Sequence, residues 1–288
     1  MQASASFPAS QPEPTGDLAR GTAPVLEVFA SFQGEGLYVG EPQSFVRLAG
    51  CPLRCRWCDT PGSWEIGDEH ASARIDGVKG RRRESRWASP FQVACWIAQV
   101  EPGAPRTVSV TGGEPLMWPD FVRELAGFAG PRRLHLETAG AHPAALARVL
   151  DVVDHVSLDL KLPGDLDAPE EFDLRELALR GLAPREPSPH GAAEWAEARA
   201  ECLRLVRDRD ACAKLIVAGG RRPEQFEPLL ESVAEHAPQL PLFIQPVSPV
   251  RGETAPDFEL LTRVVECARR HGLSVRVVPQ THKALGLP

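Results

Sequence analysis

Eight short apolar runs recur along the chain, and segments with helical spacing lie between most of them. The runs are VLEVF, QSFVRLAG, TVSVTG, RLHLET, HVSLDL, AKLIVAG, LPLFIQP and LSVRVVP, each of strand length. In 89–100, Ser89 is placed to cap a helix, Pro90 suits its first turn, and Val93, Trp96, Ile97 and Val100 share one face. Segments 119–129, 143–151, 194–207, 223–236 and 256–271 show similar spacing. Strands alternating with helices require a parallel sheet with helical crossovers, so about six such units predict an α/β fold, an open or closed β/α barrel. In that architecture ligands bind beyond the C-terminal ends of the strands, which directs attention to the residues after each apolar run.

One such domain occupies most of the 288 residues, and a 43% hydrophobic content is enough to fill its core. Residues 1–24 are rich in Ser, Ala, Pro and Gln with few large apolar groups, and read as a disordered tail ahead of a domain over 25–288. Two stretches, 61–87 with its KGRRRESR run and the Pro/Asp/Glu-rich 164–193, fit the alternation poorly and read as loops or insertions. The basic run reads as a solvated face, because no aromatics interleave it. A net charge of −7 disfavours direct nucleic-acid binding. No apolar stretch approaches a membrane span, and the first 24 residues lack a signal pattern, so the expectation is a cytoplasmic protein without a membrane partner.

Three of the seven cysteines crowd into GCPLRCRWCDT, directly after a strand run, at spacing C-x3-C-x2-C. Such clustering suits a metal site in a reducing compartment better than a disulfide framework. Cys95, Cys202, Cys212 and Cys267 stand alone in apolar segments and read as small buried hydrophobes. Three thiolates each holding one iron of a cubane leave the fourth iron open to a small molecule. Structural zinc is the alternative; it needs a fourth ligand, for which His70 is the nearest candidate. After TVSV comes TGGEP, where Gly112 and Gly113 permit close backbone approach and Glu114 is able to accept from an ammonium group. TGGEP alone is also compatible with a plain strand-to-helix turn. Glu137 and Thr138 in LETAG, Asp159 and Lys161 in LDLK, and Gln245 with Pro246 in FIQP each follow a strand.

The spacing of Cys51, Cys55 and Cys58, with Trp57 before the last cysteine, resembles the signature of the radical S-adenosylmethionine (SAM) superfamily, and TGGEP resembles its Gly-Gly-Glu motif. That resemblance implies a partial or modified (β/α)6-type barrel with parallel strands. It also implies a [4Fe-4S] cluster whose unique iron chelates SAM, reductive cleavage to a 5′-deoxyadenosyl radical, and hydrogen abstraction from a substrate. Gly112, Gly113, Glu114, Glu137, Thr138, Asp159, Lys161, Gln245 and Pro246 are its candidate SAM contacts.

Within the superfamily, EVFASFQGEGLYVGEPQSFVRLAGC, with its FxSxQGEG motif over 29–36, and the closing VVPQTHKALGLP are similar to the 7-carboxy-7-deazaguanine synthase family. The resemblance covers nearly the whole core apart from 61–87 and 164–193. It implies a carbon–nitrogen lyase of queuosine and deazapurine biosynthesis, which supplies a tRNA modification pathway. Its reaction contracts 6-carboxy-5,6,7,8-tetrahydropterin to 7-carboxy-7-deazaguanine with loss of ammonia, using SAM catalytically. Gln33, Glu35, Arg47, Thr111 and His282 supply hydrogen-bonding types suited to a pterin with a carboxylate, and the Pro288 carboxylate is placed to accept from its exocyclic amine. The resemblance makes Thr60 a Mg²⁺ ligand, while Asp59 is either a supporting group or a turn cap. A flavodoxin or ferredoxin electron donor and a homodimer are the further family expectations. A glycyl-radical-enzyme activase has no need of QGEG or QTHK. A radical SAM enzyme for another small heterocycle, or a noncatalytic metal-binding protein, are the other readings.

Overall fold

The computed structural model describes residues 21–67, 70–77, 80–167, 186, 188–189 and 191–287. In chain order the strands are β1 (Ala23–Phe32), β2 (Pro42–Leu48), β3 (Arg54–Cys55), β4 (Ser72–Gly77), β5 (Gly80–Ser85), β6 (Trp87–Ala88), β7 (Thr107–Gly112), β8 (Leu134–Thr138), β9 (His155–Leu160), β10 (Leu166–Asp167), β11 (Ala211–Val217), β12 (Leu242–Pro246) and β13 (Val275–Val277). The helices are α1 (Pro90–Val100), α2 (Pro119–Phe128), α3 (Pro143–Val149), α4 (Gly191–Val206), α5 (Glu227–His236), α6 (Phe258–Arg270) and the single turn α7 (Thr281–Ala284). Every apolar run is a strand and every segment of helical spacing contains a helix. α1 starts where its chemistry requires: Ser89 and Gln92 form a reciprocal capping box with Pro90 in the first turn.

β2, β7, β8, β9, β11, β12 and β13 lie side by side in that order, all parallel. The sheet continues through β1, antiparallel to β2, to β4 and β5. Among the described residues β13 and β5 form its two ends without pairing to each other, so the barrel is open. The side-chain period of two gives the parallel strands an apolar outer row and a more polar inner row. In β8, Leu134 and Leu136 join the core against the helices, whereas His135 and Glu137 face inward. In β11, Ala213, Leu215 and Val217 pack outward and Lys214 and Ile216 line the interior. Phe121, Leu125, Leu146, Leu203, Phe226 and Leu230 complete the outer core from the helical side.

The stretch 61–87, expected as loop or insertion, is only partly loop. It contains the β4–β5 hairpin and β6, and β4 runs parallel to β1. GRRRES escaped the strand reading because β5 is an edge strand with no apolar face; its charges pair locally, Arg81 with Asp76 at 2.6 Å and Arg82 with Glu84 at 3.5 Å. β1 starts at Ala23, two residues before the expected boundary at 25, and the tail over 1–20 lies outside the described residues. Of 164–193, Leu166–Asp167 form β10, paired with β3, and α4 begins at Gly191. Cys202, Cys212 and Cys267 are buried as expected, but Cys95 is exposed, because it sits opposite the Val93–Trp96–Ile97–Val100 face of α1.

Candidate active site

Chain geometry at the end of β2 fixes where the cysteines sit. Gly50 adopts φ +92°, and the loop beyond it is stitched to the TGGEP turn: Gly113 N donates to Leu48 O at 3.0 Å and Glu114 N to Gly50 O at 2.9 Å. A methyl on Gly112 would lie 2.2 Å from Leu48 O, and one on Gly113 would lie 2.2 Å from Gly50 O. The two glycines therefore serve a close backbone–backbone approach that locks the cysteine loop to β7. Downstream, the β3–β10 ribbon pairs Cys55 with Leu166. Arg221 holds that ribbon down, binding Asp165 at 2.6 Å and Glu253 at 2.8 Å, while Trp57 Nε1 donates to Asp165 at 3.3 Å.

Cys51, Cys55 and Cys58 line one cavity at the C-terminal ends of the parallel strands. Burial raises the Cys51 thiol, with the Cys55 charge adding to the effect. Cys55 is pushed up to about 11, mainly by burial and against the pull of Lys161. Thiols with this bias are held protonated until a metal displaces the proton. Tetrahedral zinc brings thiolate sulfurs to about 3.8 Å of one another at its ordinary bond lengths. Zinc also needs a fourth ligand, and His70, the nearest candidate along the sequence, is exposed and outside the cavity, so the three-thiol set suits a cluster that leaves one iron open.

The same cavity is lined by Gln33, Glu35, Arg47, Thr60, Thr111, Gly112, Gly113, Glu137, Thr138, Asp159, Lys161, Gln245 and His282, which gathers nearly every expected site residue. Gln33 is 3% exposed and donates to Glu137 Oε1 at 3.1 Å, and Ser109 donates to the same oxygen at 2.8 Å. Arg47 faces the cavity while its Nε binds Glu27 at 2.8 Å, so one side chain is both wall and internal ion pair. Asp159 Oδ2 accepts from Lys161 at 2.8 Å; burial opposes its ionisation, but Lys161 and Lys214 outweigh burial and lower its pKa. Gln245 Oε1 is buried without a partner, a free acceptor at the cavity wall that fits a ligand donor such as the SAM ammonium or ribose.

Glu114 does not line the cavity. Fully buried, it accepts from Leu116 N at 3.0 Å, Thr138 Oγ1 at 2.8 Å and Ala139 N at 2.8 Å, tying the turn to the end of β8. Burial raises its pKa against those bonds. Pro246, last residue of β12, also lies outside the lining, and Pro288 lies outside the described residues.

The two terminal motifs meet. A methyl on Gly34 would lie 1.9 Å from His282 Nδ1, so only glycine there admits the histidine, and Thr281 N donates to Gly34 O at 3.0 Å. Gln280 bridges Glu35 at 2.9 Å and Asp59 at 3.2 Å, and Lys283 binds Asp59 at 2.6 Å. Burial raises the Asp59 pKa, but Lys283, Arg47 and Gln280 outweigh it and bring it below the usual value. Among the lining residues that escaped the sequence reading, two are charged or amide groups inside the site: Gln280, within the quoted QTHK, and Lys214, a lone charge in the middle of an apolar strand. Period-two reading of AKLIVAG is the signal that places Lys214 on the inner row.

A family model described as the radical SAM superfamily matches residues 46–233. The 7-carboxy-7-deazaguanine synthase of Methanothermobacter thermautotrophicus is 34% identical over 92% of this chain and 98% of its own length. This chain belongs to the 7-carboxy-7-deazaguanine synthase family. The family member from Geobacter sulfurreducens is 29% identical over 93% of the chain and 99% of its own length. Among solved structures, QueE from Escherichia coli covers 89% of this chain and 93% of its own with TM-score 0.52 at 20% identity, a likeness of fold. Membership of the 7-carboxy-7-deazaguanine synthase family agrees with the open parallel barrel and the three-cysteine cavity. No helix among the described residues is long and apolar enough to cross a membrane.

Proposed function

We propose that this chain converts 6-carboxy-5,6,7,8-tetrahydropterin to 7-carboxy-7-deazaguanine with release of ammonia, as a carbon–nitrogen lyase of deazapurine biosynthesis. The observation that carries this reading is the meeting of QGEG, QTHK and the cysteine loop around one cavity. Cys51, Cys55 and Cys58 would hold a [4Fe-4S] cluster, and with SAM bound that group supplies hydrogen-atom abstraction.

The chain's own residues bind, orient and shield. Gln33, Glu35, Thr111 and His282 present donors and acceptors to a ring rich in N–H and C=O groups, and Arg47 offers a cation to the substrate carboxylate. Asp159, Lys161, Thr138 and Gln245 line the same cavity and would meet the cofactor. Thr60 Oγ1, beside Asp59 at 3.3 Å, is a hard oxygen donor suited to Mg²⁺, which would neutralise the same carboxylate. Trp57 and Trp64 add apolar surface to the cavity lining, which disfavours water there. A flavodoxin or ferredoxin as electron source, a homodimeric assembly and a cytoplasmic setting complete the reading.

Anaerobic reconstitution with iron and sulfide, followed by dithionite, SAM, Mg²⁺ and the tetrahydropterin, tests it by mass spectrometry. Formation of 7-carboxy-7-deazaguanine is expected. 5′-Deoxyadenosine without that product would keep radical chemistry and reject the substrate, and neither product from cluster-loaded protein would reject both.

A further inference from the structure

Lys214 is 3% exposed at the centre of β11, a strand whose seven residues are all buried. Lysine is rarely interred unless paired. Its Nζ lies 2.7 Å from Glu35, 2.9 Å from Asp159 and 3.7 Å from Glu137, carboxylates delivered by the β1–β2 connection, β9 and β8. Burial alone would strip its proton, but Asp159, Glu35 and Glu137 together outweigh burial and keep it an ammonium.

On the functional reading above, two of these carboxylates serve different ligands. Asp159 belongs to the cofactor side, where Lys161 holds its other oxygen at 2.8 Å. Glu35 belongs to the pterin side, where Gln280 holds its other oxygen at 2.9 Å. We propose that Lys214 is a positioning residue that fixes the pterin-recognising carboxylate Glu35 against the cofactor-facing Asp159 and so aligns the substrate with the radical source. This rests on the functional reading above.

Remove the ammonium and two effects follow. Glu35, carried on a loop flanked by Gly34 and Gly36, loses its rigid tether and keeps only Gln280 and its own backbone bond to Gln33 Oε1 at 3.1 Å. Glu35 and Glu137 then face each other without the intervening positive charge, and repulsion drives the mobile partner away. The cysteine loop is anchored elsewhere, by the TGGEP turn and the β3–β10 ribbon, and Asp159 retains Lys161. Radical generation therefore survives a change that misaligns the substrate, and a misplacement of about 1 Å suffices to cost catalysis heavily.

Lys214→Met preserves length without charge, and Lys214→Arg preserves charge with a longer, planar head. For each reconstituted variant the ratio of 5′-deoxyadenosine to 7-carboxy-7-deazaguanine is measured. Binding of the oxidised, unreactive 6-carboxypterin is followed separately by its fluorescence, without turnover. Both variants are expected to load iron like the parent; Lys214→Met should raise the ratio and weaken pterin affinity at least tenfold, and Lys214→Arg, which keeps the charge but displaces Glu35 with its longer head, at least threefold. An unchanged ratio and affinity would overturn the assignment, as would equal loss of both products with pterin affinity intact. If Lys214→Met does not fold, Lys214→Arg decides; its failure to fold as well would assign Lys214 to structure and overturn the proposal. A parent protein that makes no 7-carboxy-7-deazaguanine marks failure of the functional reading itself, independently of the variants.

Discussion

Replacing Gly113 by Ala tests whether the glycines of TGGEP serve the backbone or the ligand. The new methyl would lie 2.2 Å from Gly50 O, 2.6 Å from Gly50 C and 2.7 Å from Ser63 O, all backbone atoms of the loop that carries Cys51. Ordinary contact begins near 3.4 Å, so the loop must retreat by about 1 Å. That retreat stretches Glu114 N→Gly50 O from 2.9 Å and disturbs Gly50 N→Ser63 O at 2.8 Å. Two weakened buried hydrogen bonds at about 1 kcal/mol each, plus an overpacking cost of about 1–3 kcal/mol, give a loss of about 3–5 kcal/mol. For a chain of this size that corresponds to a drop in Tm of about 5–8 °C. Thermal unfolding of the cluster-free protein reads the stability, and iron and sulfide per chain after reconstitution read the site. Gly62→Ala is the control, since nothing lies within 4 Å of its added methyl in the same loop. A Gly113→Ala protein with unchanged Tm and full iron content would refute the backbone-locking account and return the glycines to ligand contact alone.

Gly34→Ala should expel His282 from the cavity, weakening 6-carboxypterin binding about tenfold while leaving iron loading intact; fluorescence titration checks it. Arg221→Met leaves Asp165 and Glu253 without their shared cation, so a loss of about 3 kcal/mol is expected, with incomplete cluster loading in an iron assay. Burial lowers the His142 pKa to about 4. A histidine in the unfolded chain titrates near 6.5, so between these values only the unfolded chain takes up the proton. Stability is therefore lost as pH falls from about 6.5 towards about 4, by up to about 3 kcal/mol from this group, and levels off below. Urea unfolding of His142→Gln across that range should show a shallower slope than the parent; equal slopes would remove His142 from the account.

Much of the fold was legible because burial and period agree. Parallel strands covered by helices must carry an apolar row, and runs such as HVSLDL and AKLIVAG announce it. β5 was not legible, since an edge strand facing water on both sides needs no apolar residue and GRRRES has none. Cys95 was misread by composition, although the face defined by Val93, Trp96, Ile97 and Val100 puts it on the opposite side of α1. Glu114 matches the motif by sequence, yet its carboxylate is consumed by Leu116, Thr138 and Ala139. A motif fixes the residue type at a position without fixing the direction in which its oxygens point.

By itself, then, the sequence determined the β/α alternation, the cysteine spacing and the family motifs at both ends, because these follow from local period and residue chemistry. Only the tertiary structure decided which charges meet. Glu35, Glu137 and Asp159 are separated by up to 124 residues along the chain; Glu137 and Asp159 converge on Lys214 through strand order and inward row, and Glu35 reaches it from the β1–β2 connection. Gly34 and His282, at opposite ends of the sequence, come together through the packing of the C-terminal turn onto the β1–β2 connection. Such pairings depend on distance in space, and a one-dimensional pattern carries no term for it.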